Sequence, residues 1–205
     1  MTPEEARLAA HICGDGCLSI WIEKNALQIV HGRKYRQRRT RYEIIYSNNE
    51  IKLLNQFAGD LRKVFGVKPR LGKDEVRTRS KRIFEHLKRL GGGGTYEWKI
   101  PRKIQDSTKK IKTQWITAFF DDEGTVDLIE KRVRIKNMNY KGLRQLVKLL
   151  EGIGIVSKIT GPNADRSWWL TISGSGALTF ARNIRIEHTK KRKQLASLLA
   201  HFLAK

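Results

Sequence analysis

Apolar and polar positions change their spacing along the chain in a fixed order, and the order occurs twice. Behind Thr2, apolar residues recur at helical spacing to about Asp15, with Pro3 at the first helical position and Glu5 as the reciprocal capping acid. Gly16 follows as a left-handed stop. Cys17–Val30 and Arg36–Ser47 read as strands joined by the basic segment Arg33-Lys34-Tyr35-Arg36. Helical spacing returns over Asn49–Phe65 through Ile51, Leu54, Phe57, Leu61 and Val64, and stops at Gly66. A strand pair over Val67–Thr78 and a short helix over Lys81–Leu90 follow, and Gly91–Gly94 reads as the most flexible linker of the chain.

The second run has the same order. A helix is predicted over Lys109–Asp122 with Gly124 behind it, strands over Thr125–Glu130 and Arg132–Asn137, and a helix over Tyr140–Gly152. Strands over Ile155–Thr160 and Arg166–Ser173 lead to closing helices, the last at about Lys190–Leu203. Three segment pairs carry the repeat: 8–19 with 116–127, 43–57 with 133–147, and the TKK runs at 108–112 and 189–193. Their offset shrinks along the chain, so the first half holds insertions, mainly between its acid and its second strand. The fold predicted is mixed α/β (α+β): two pseudo-twofold halves, residues 1–94 and 95–205, each built αββαββα.

Composition narrows the partners. The 205 residues hold 42 Lys plus Arg against 20 Asp plus Glu, a net charge of +22, which points to a polyanion partner without choosing among DNA, RNA and lipid. The cations recur inside segments that read as folded, which favours a binding surface over a disordered tail. No apolar run reaches the roughly 20 residues that span a bilayer, so no membrane association is expected. Met1-Thr2-Pro3-Glu4-Glu5 lacks the apolar core of a signal peptide. Cys13 and Cys17 have no second pair and no flanking histidines, which argues against zinc and against a disulfide framework. A reducing, cytoplasmic location follows as an expectation.

The segments L8-A-A-H-I-C-G-D-G16 and I116-T-A-F-F-D-D-E-G124 resemble two copies of the nine-residue signature of the LAGLIDADG homing endonucleases, in the monomeric two-motif branch and its archaeal rRNA-intron-encoded members. The resemblance implies paired motif helices between two antiparallel saddle-shaped sheets that form a DNA-binding groove. It implies a catalytic, metal-binding pair, Asp15 and Glu123, each directing cleavage of one strand to leave short 3′ overhangs. It adds the main-chain carbonyls of Gly14 and Asp122 as metal ligands. It also adds central lysines, for which the TKK runs point to Lys110 and Lys191, with Lys109 and Lys190 as rivals. Mg²⁺ is the implied cofactor, with Mn²⁺ substituting and Ca²⁺ binding without cutting. The sequence departs from the family at Cys13, where the earlier motif acid stands as Asp121 in the second copy, and at Glu123, which replaces Asp.

The residues support that chemistry on their own terms. Ala9, Ala10, Thr117 and Ala118 are small enough for two helices to pack backbone to backbone, which brings the two final acids together. Like charges so placed share a proton or a cation, and helix C-termini favour a cation. A hard divalent ion suits one or two carboxylates plus a phosphate oxygen. A single motif would be read as an ordinary buried helix with a polar end; two, each acidic and followed by Gly, tip the balance. Asn48 and Asn137 end matching strands and are candidates to orient water, although Asn at a strand end is commonly turn chemistry.

For DNA binding the candidates are Arg33, Lys34, Arg36, Arg38, Arg39 and Arg41 on the first hairpin, and Lys68, Arg70, Arg77 and Arg79 on the second strand pair. Arg132, Arg134 and Lys136 alternate with Val133 and Ile135, and Arg166 adjoins Trp168 and Trp169, one of which must face outward. His11 reads as a core or interface residue. The partner implied is duplex DNA with a long asymmetric site, with RNA binding left open and no obligate protein partner. Two rivals stand beside the nuclease: an RNA-binding splicing maturase on the same fold, and a plain basic nucleic-acid-binding protein.

Overall fold

The computed structural model describes residues 1–204. Its elements fall into the two predicted runs. The first is α1 (Pro3–Cys13), β1 (Gly16–Val30), β2 (Arg33–Ser47), α2 (Ile51–Phe65), β3 (Arg70–Leu71), β4 (Glu75–Arg79) and α3 (Lys81–Arg89). A short α4 (Arg102–Gln105) precedes the second: α5 (Lys109–Glu123), β5 (Gly124–Asp127), β6 (Arg132–Asn137), α6 (Tyr140–Glu151), β7 (Lys158–Thr160), β8 (Trp168–Ile172) and α7 (Gly174–Asn183). A last helix, α8 (Thr189–Leu203), closes the chain. Each run forms a four-stranded antiparallel sheet of equivalent order, β1-β2-β4-β3 and β5-β6-β8-β7. The mixed α/β architecture of two αββαββα units is therefore as predicted.

The small residues of the motifs do what their size allows. Ala6, Ala9, Ala10, Thr117 and Ala118 are buried where α1 and α5 pack along each other. Thr2 caps α1 through the predicted capping box, its hydroxyl accepting from the Glu5 amide at 3.2 Å and Glu5 accepting in return at 2.8 Å. Arg7 ties three helices together: it donates to both Asp60 carboxylate oxygens, at 2.8 and 2.7 Å, and to the Gln114 amide oxygen at 2.5 Å. Beneath the second sheet, Trp115 stacks on Phe119 and Trp98 packs tilted against both in the larger core. Leu8, Ile12, Tyr46, Leu53 and Phe57 fill a second core beneath the first sheet. Each such burial contributes about 1.5–3 kcal/mol.

Several local expectations are corrected. α1 ends at Cys13, and neither Gly14 nor Gly16 takes a left-handed cap. Gly16 and Gly124 are small for another reason: a Cβ at either would lie 2.6–2.7 Å from the backbone four or five residues earlier in its own motif helix. Gly91–Gly94 is not a slack linker. Gly91 sits at φ +104, and a Cβ on Gly92 would lie 2.7 Å from Ile12 and Leu18, so the run is packed against α1. Arg33–Arg36 belongs to β2, and the turn is His31–Gly32, both at positive φ, as two-residue hairpin turns require. In the second half β5 stops at Asp127, whose carboxylate accepts from the Glu130 amide at 3.0 Å and closes a turn. β8 starts at Trp168 because Arg166 lies at φ +62 in the preceding turn.

Candidate active site and nucleic-acid interface

The C-terminal ends of α1 and α5 meet at the seam. A Cβ on Gly14 would sit 2.7 Å from the Asp122 carboxylate, so the two motif ends are in contact there. Asp15 and Glu123 stand one residue beyond, each immediately before a strand. Each is held by an asparagine from the end of its own second strand. Asn48 donates to Asp15 at 2.9 Å, and Asn137 donates to Glu123 at 3.4 Å. Both asparagines are fixed by the same local device, a side-chain oxygen accepting from the amide two residues on, at 2.9 Å in each half. Asn48 and Asn137 thus each close a turn and also reach the acid of their own half.

Two clefts flank the seam, and their linings cross. One, of about 380 Å³, holds Asp15 and Asn48 with Asp121, Asp122, His188 and Lys191. The other, of about 490 Å³, holds Glu123 and Asn137 with Gly14, the glycine run 92–94, Lys88 and Trp98. Each acid therefore shares a cleft with the residue that precedes the other acid. Burial raises the Asp15 pKa to about 6, helped by the neighbouring Asp122 charge. Burial raises Glu123 to about 7, with the Asp15 charge next in weight. Two carboxylates that resist ionisation together mark a place where a cation is favoured. Among the described residues no cluster of three or more His, Cys, Asp or Glu forms a self-contained metal site. The donors on offer are hard oxygens, the Asp15 carboxylate on one side and the Glu123 carboxylate on the other, while the Asp122 carbonyl accepts from Lys191. That set fits a divalent ion that completes its shell with water and phosphate.

Lys191 reaches this seam and Lys110 does not. The Lys191 ammonium donates to the carbonyls of Asp121 at 2.5 Å and Asp122 at 2.8 Å, the open end of α5. Burial lowers its pKa, opposed by Asp122, Asp121, Asp15 and Glu123. Its helix is pinned by both halves: Asp121 accepts from the Glu187 and His188 amides at 2.9 and 2.8 Å, and Glu50 accepts from the Thr189 amide at 3.0 Å. Lys110, with Lys109, starts α5, thirteen residues before Glu123. That places it about 20 Å along the axis from the acid. Lys88, which sequence reasoning passed over, lines the Glu123 cleft from the last turn of α3.

A buried cluster lies behind the acids. The Asp122 carboxylate contacts His11 Nδ1 at 3.0 Å and accepts from the Tyr46 hydroxyl at 2.7 Å. The side chains of His11 and Asp122 are fully buried. Burial opposes charge on His11, but Asp122 outweighs it and the pKa is raised. His11 is the interface residue predicted; the buried carboxylate facing it had no sequence signal. Cys13, at the place of Asp121, donates its thiol to the Gly91 carbonyl at 3.6 Å.

Strand alternation sorts the basic residues. Arg33, Arg39 and Arg41 share the outer face of the first sheet with Arg70, Arg77 and Arg79. Lys34, Arg36 and Arg38 lie on the opposite face of the hairpin. Lys68, Arg70, Arg77 and Arg79 line one shallow cleft. In the second sheet Arg132, Arg134 and Lys136 face outward beside Trp169, and the Arg134 guanidinium stacks 3.8 Å from that indole. Trp168 turns inward onto Tyr140. Arg166 is exposed in the turn before β8. No helix among the described residues is long and apolar enough to cross a membrane.

A family profile for the LAGLIDADG-like domain matches residues 110–185. The homing endonuclease I-ApeI of Aeropyrum pernix is 29% identical over 187 residues, spanning 82% of each chain. I-DmoI in complex with DNA and Ca superposes with a TM-score of 0.66 at 21% identity, covering 97% of this chain and 98% of that one. Over residues 110–185 the chain is similar to the LAGLIDADG-like domain, and over its whole length it shares the fold of I-DmoI. I-DmoI has also been solved with DNA and Mn. The homing endonuclease I-WcaI bound to its DNA recognition sequence matches with a TM-score of 0.60 at 12% identity, over 94% of this chain and 85% of that one. At those identities the structures share its fold. The profile falls on the run that carries Glu123; the run that carries Asp15 has a sheet of equivalent strand order.

Proposed function

We propose that this protein is a site-specific endonuclease that hydrolyses one phosphodiester in each strand of a DNA duplex, leaving short 3′ overhangs. The observation that supports it most directly is the crossed pair of clefts, with Asp15, Asn48 and Asp122 in one and Glu123, Asn137 and Gly14 in the other. In this reading residues 1–94 and 95–205 are the two halves. Asp15 with the Asp122 carbonyl, and Glu123 with the Gly14 carbonyl, hold Mg²⁺, for which Mn²⁺ substitutes and Ca²⁺ binds without cutting. The ion supplies charge neutralisation at the phosphate and a more acidic bound water.

The chain's own groups do the rest. Asn48 and Asn137 hold each carboxylate's orientation, and their second amide hydrogens remain to orient water. Lys191 sits close enough to offset charge that builds on a phosphate beside Asp15. The outward arginines and lysines of the two sheets neutralise phosphates and read base edges in the major groove. A splicing maturase or a plain basic binder has no use for two carboxylates held at the cost of raised pKa values.

The experiment is cleavage of a plasmid library with Mg²⁺. The wild type should linearise targets that carry its site. Asp15→Asn together with Glu123→Gln should bind the same DNA and cut neither strand. Binding by the wild type without any scission would overturn the proposal.

A further inference from the structure

The two hairpins that leave the acids are built alike and differ in length. β1 starts one residue after Asp15, and β2 returns to Ser47, beside the Asn48 that holds Asp15. β5 starts one residue after Glu123, and β6 returns to the Asn137 that holds Glu123. Each hairpin is therefore an arm rooted at one candidate cutting centre. The first has 15 residues in each strand; the second has 4 and 6. At roughly 3.3 Å per residue the first reaches up to about 50 Å from Asp15, and the second about 20 Å from Glu123. β4 pairs with β2 only over Glu43–Ser47, so most of the long arm is a two-stranded ribbon with no third strand.

That ribbon is poorly suited to standing alone in water. An isolated two-stranded hairpin is marginal. Between residues 16 and 42 the sole acid is Glu23, against Lys24, Arg33, Lys34, Arg36, Arg38, Arg39 and Arg41. Its outer face offers Arg33, Arg39 and Arg41 with Gln28 and Gln37, side chains whose forked donors and amides match base edges. The short arm is nearer to neutral: Asp127 pairs with Arg132 at 3.3 Å and lies 3.9 Å from Arg134.

Resting on the endonuclease reading, we infer that the DNA footprint is lopsided about the cut. The long half-site lies under the residue 16–47 arm, and the short one lies under β5 and β6. At about 3.4 Å of rise per base pair the difference in reach amounts to as much as about nine base pairs, close to one helical turn. B-form DNA is the partner because its major groove admits a two-stranded ribbon, whereas the deep, narrow groove of an RNA duplex does not.

The test uses the full chain on its cleavage target in Ca²⁺, with hydroxyl-radical footprinting and binding to duplexes shortened from either end. Trimming to about six base pairs from the cut should leave Kd within twofold on the second-half side. The same trim on the first-half side should weaken binding at least tenfold. A variant with residues 24–38 replaced by an Asn-Gly turn should lose protection on the first-half side alone, with its thermal melt confirming the fold. Equal reach on both sides, or a shortened arm that protects as the wild type does, overturns the inference while leaving the nuclease intact. An arm that serves duplex RNA instead overturns it as well. A wild type that protects no DNA sinks both readings.

Discussion

The two halves carry the same seven-element plan and an acid at the same place, Asp15 in one and Glu123 in the other, yet they surround that acid differently. On the Asp15 side an ammonium, Lys191, is bonded to the end of α5 and the cleft is lined by polar side chains. On the Glu123 side the lining includes Gly92–Gly94, Trp98, Glu97 and apolar Leu18, Ile20 and Phe84, and no hydrogen bond ties Lys88 to a motif carbonyl among the described residues. The seam itself is lopsided: His11 faces a buried Asp122, while the corresponding positions of the other motif copies are Phe119 and Gly14. The two runs place their acids and asparagines alike and differ in the residues around them. The account expects two centres with unequal chemistry.

The buried cross-seam pair gives the largest effect on stability. His11→Ala leaves Asp122 buried with Tyr46 alone and should cost about 3–5 kcal/mol in chemical denaturation. Adding Asp122→Ala should recover part of that loss, since the orphaned charge is gone. A double variant less stable than both singles would mean that the pair is not coupled in this way. Next comes Lys191→Met. Cleavage at the Asp15 centre should fall about 10²-fold, with less than a threefold change at the Glu123 centre, followed by strand-labelled single turnovers. Equal losses at both centres would erase the distinction between the clefts.

The earlier motif position sharpens the comparison further. Asp121→Ala strands the Glu187 and His188 amides and should cost about 1–3 kcal/mol, more than Cys13→Ala, which removes one weak thiol bond. The smallest effect is on pH dependence without metal. The folded pKa values of Asp15 and Glu123, about 6 and about 7, lie above those of an unfolded chain. Between about pH 4 and 7 the folded state therefore holds protons that the unfolded chain has released, and stability falls as pH rises through that window. At pH 8 Glu123→Gln should raise the metal-free Tm by about 2–4 °C. A Tm unchanged by that substitution would show that the carboxylate is not strained.

What was legible in the sequence was whatever occurs twice and close by in the chain. Asp15 and Glu123 stand at the C-terminal ends of matching motifs, and Asn48 and Asn137 stand where matching strands end, so their equivalent placement was readable from the repeat. The TKK repeat was misleading because its two copies start helices that sit differently. α8 begins where α5 ends, which delivers Lys191; α5 begins at its own far end, which removes Lys110. Gly91–Gly94 looked slack because glycine signals freedom locally, whereas here the missing Cβ admits Ile12 and Leu18. The alternating arginines were visible, but which of them share a face depended on pairing register, including the bulge between Glu23 and Ala26. The Asp122–His11–Tyr46 cluster joins three elements and left no local pattern to find.

The central claim is that each acid serves its own strand. It is tested by following both strands of an end-labelled target in Mg²⁺ with Asp15→Asn and Glu123→Gln singly. The account predicts that each variant nicks one strand, and that the two variants nick opposite strands. If either substitution silences both strands equally, the acids form a single shared centre and the two-centre account is wrong.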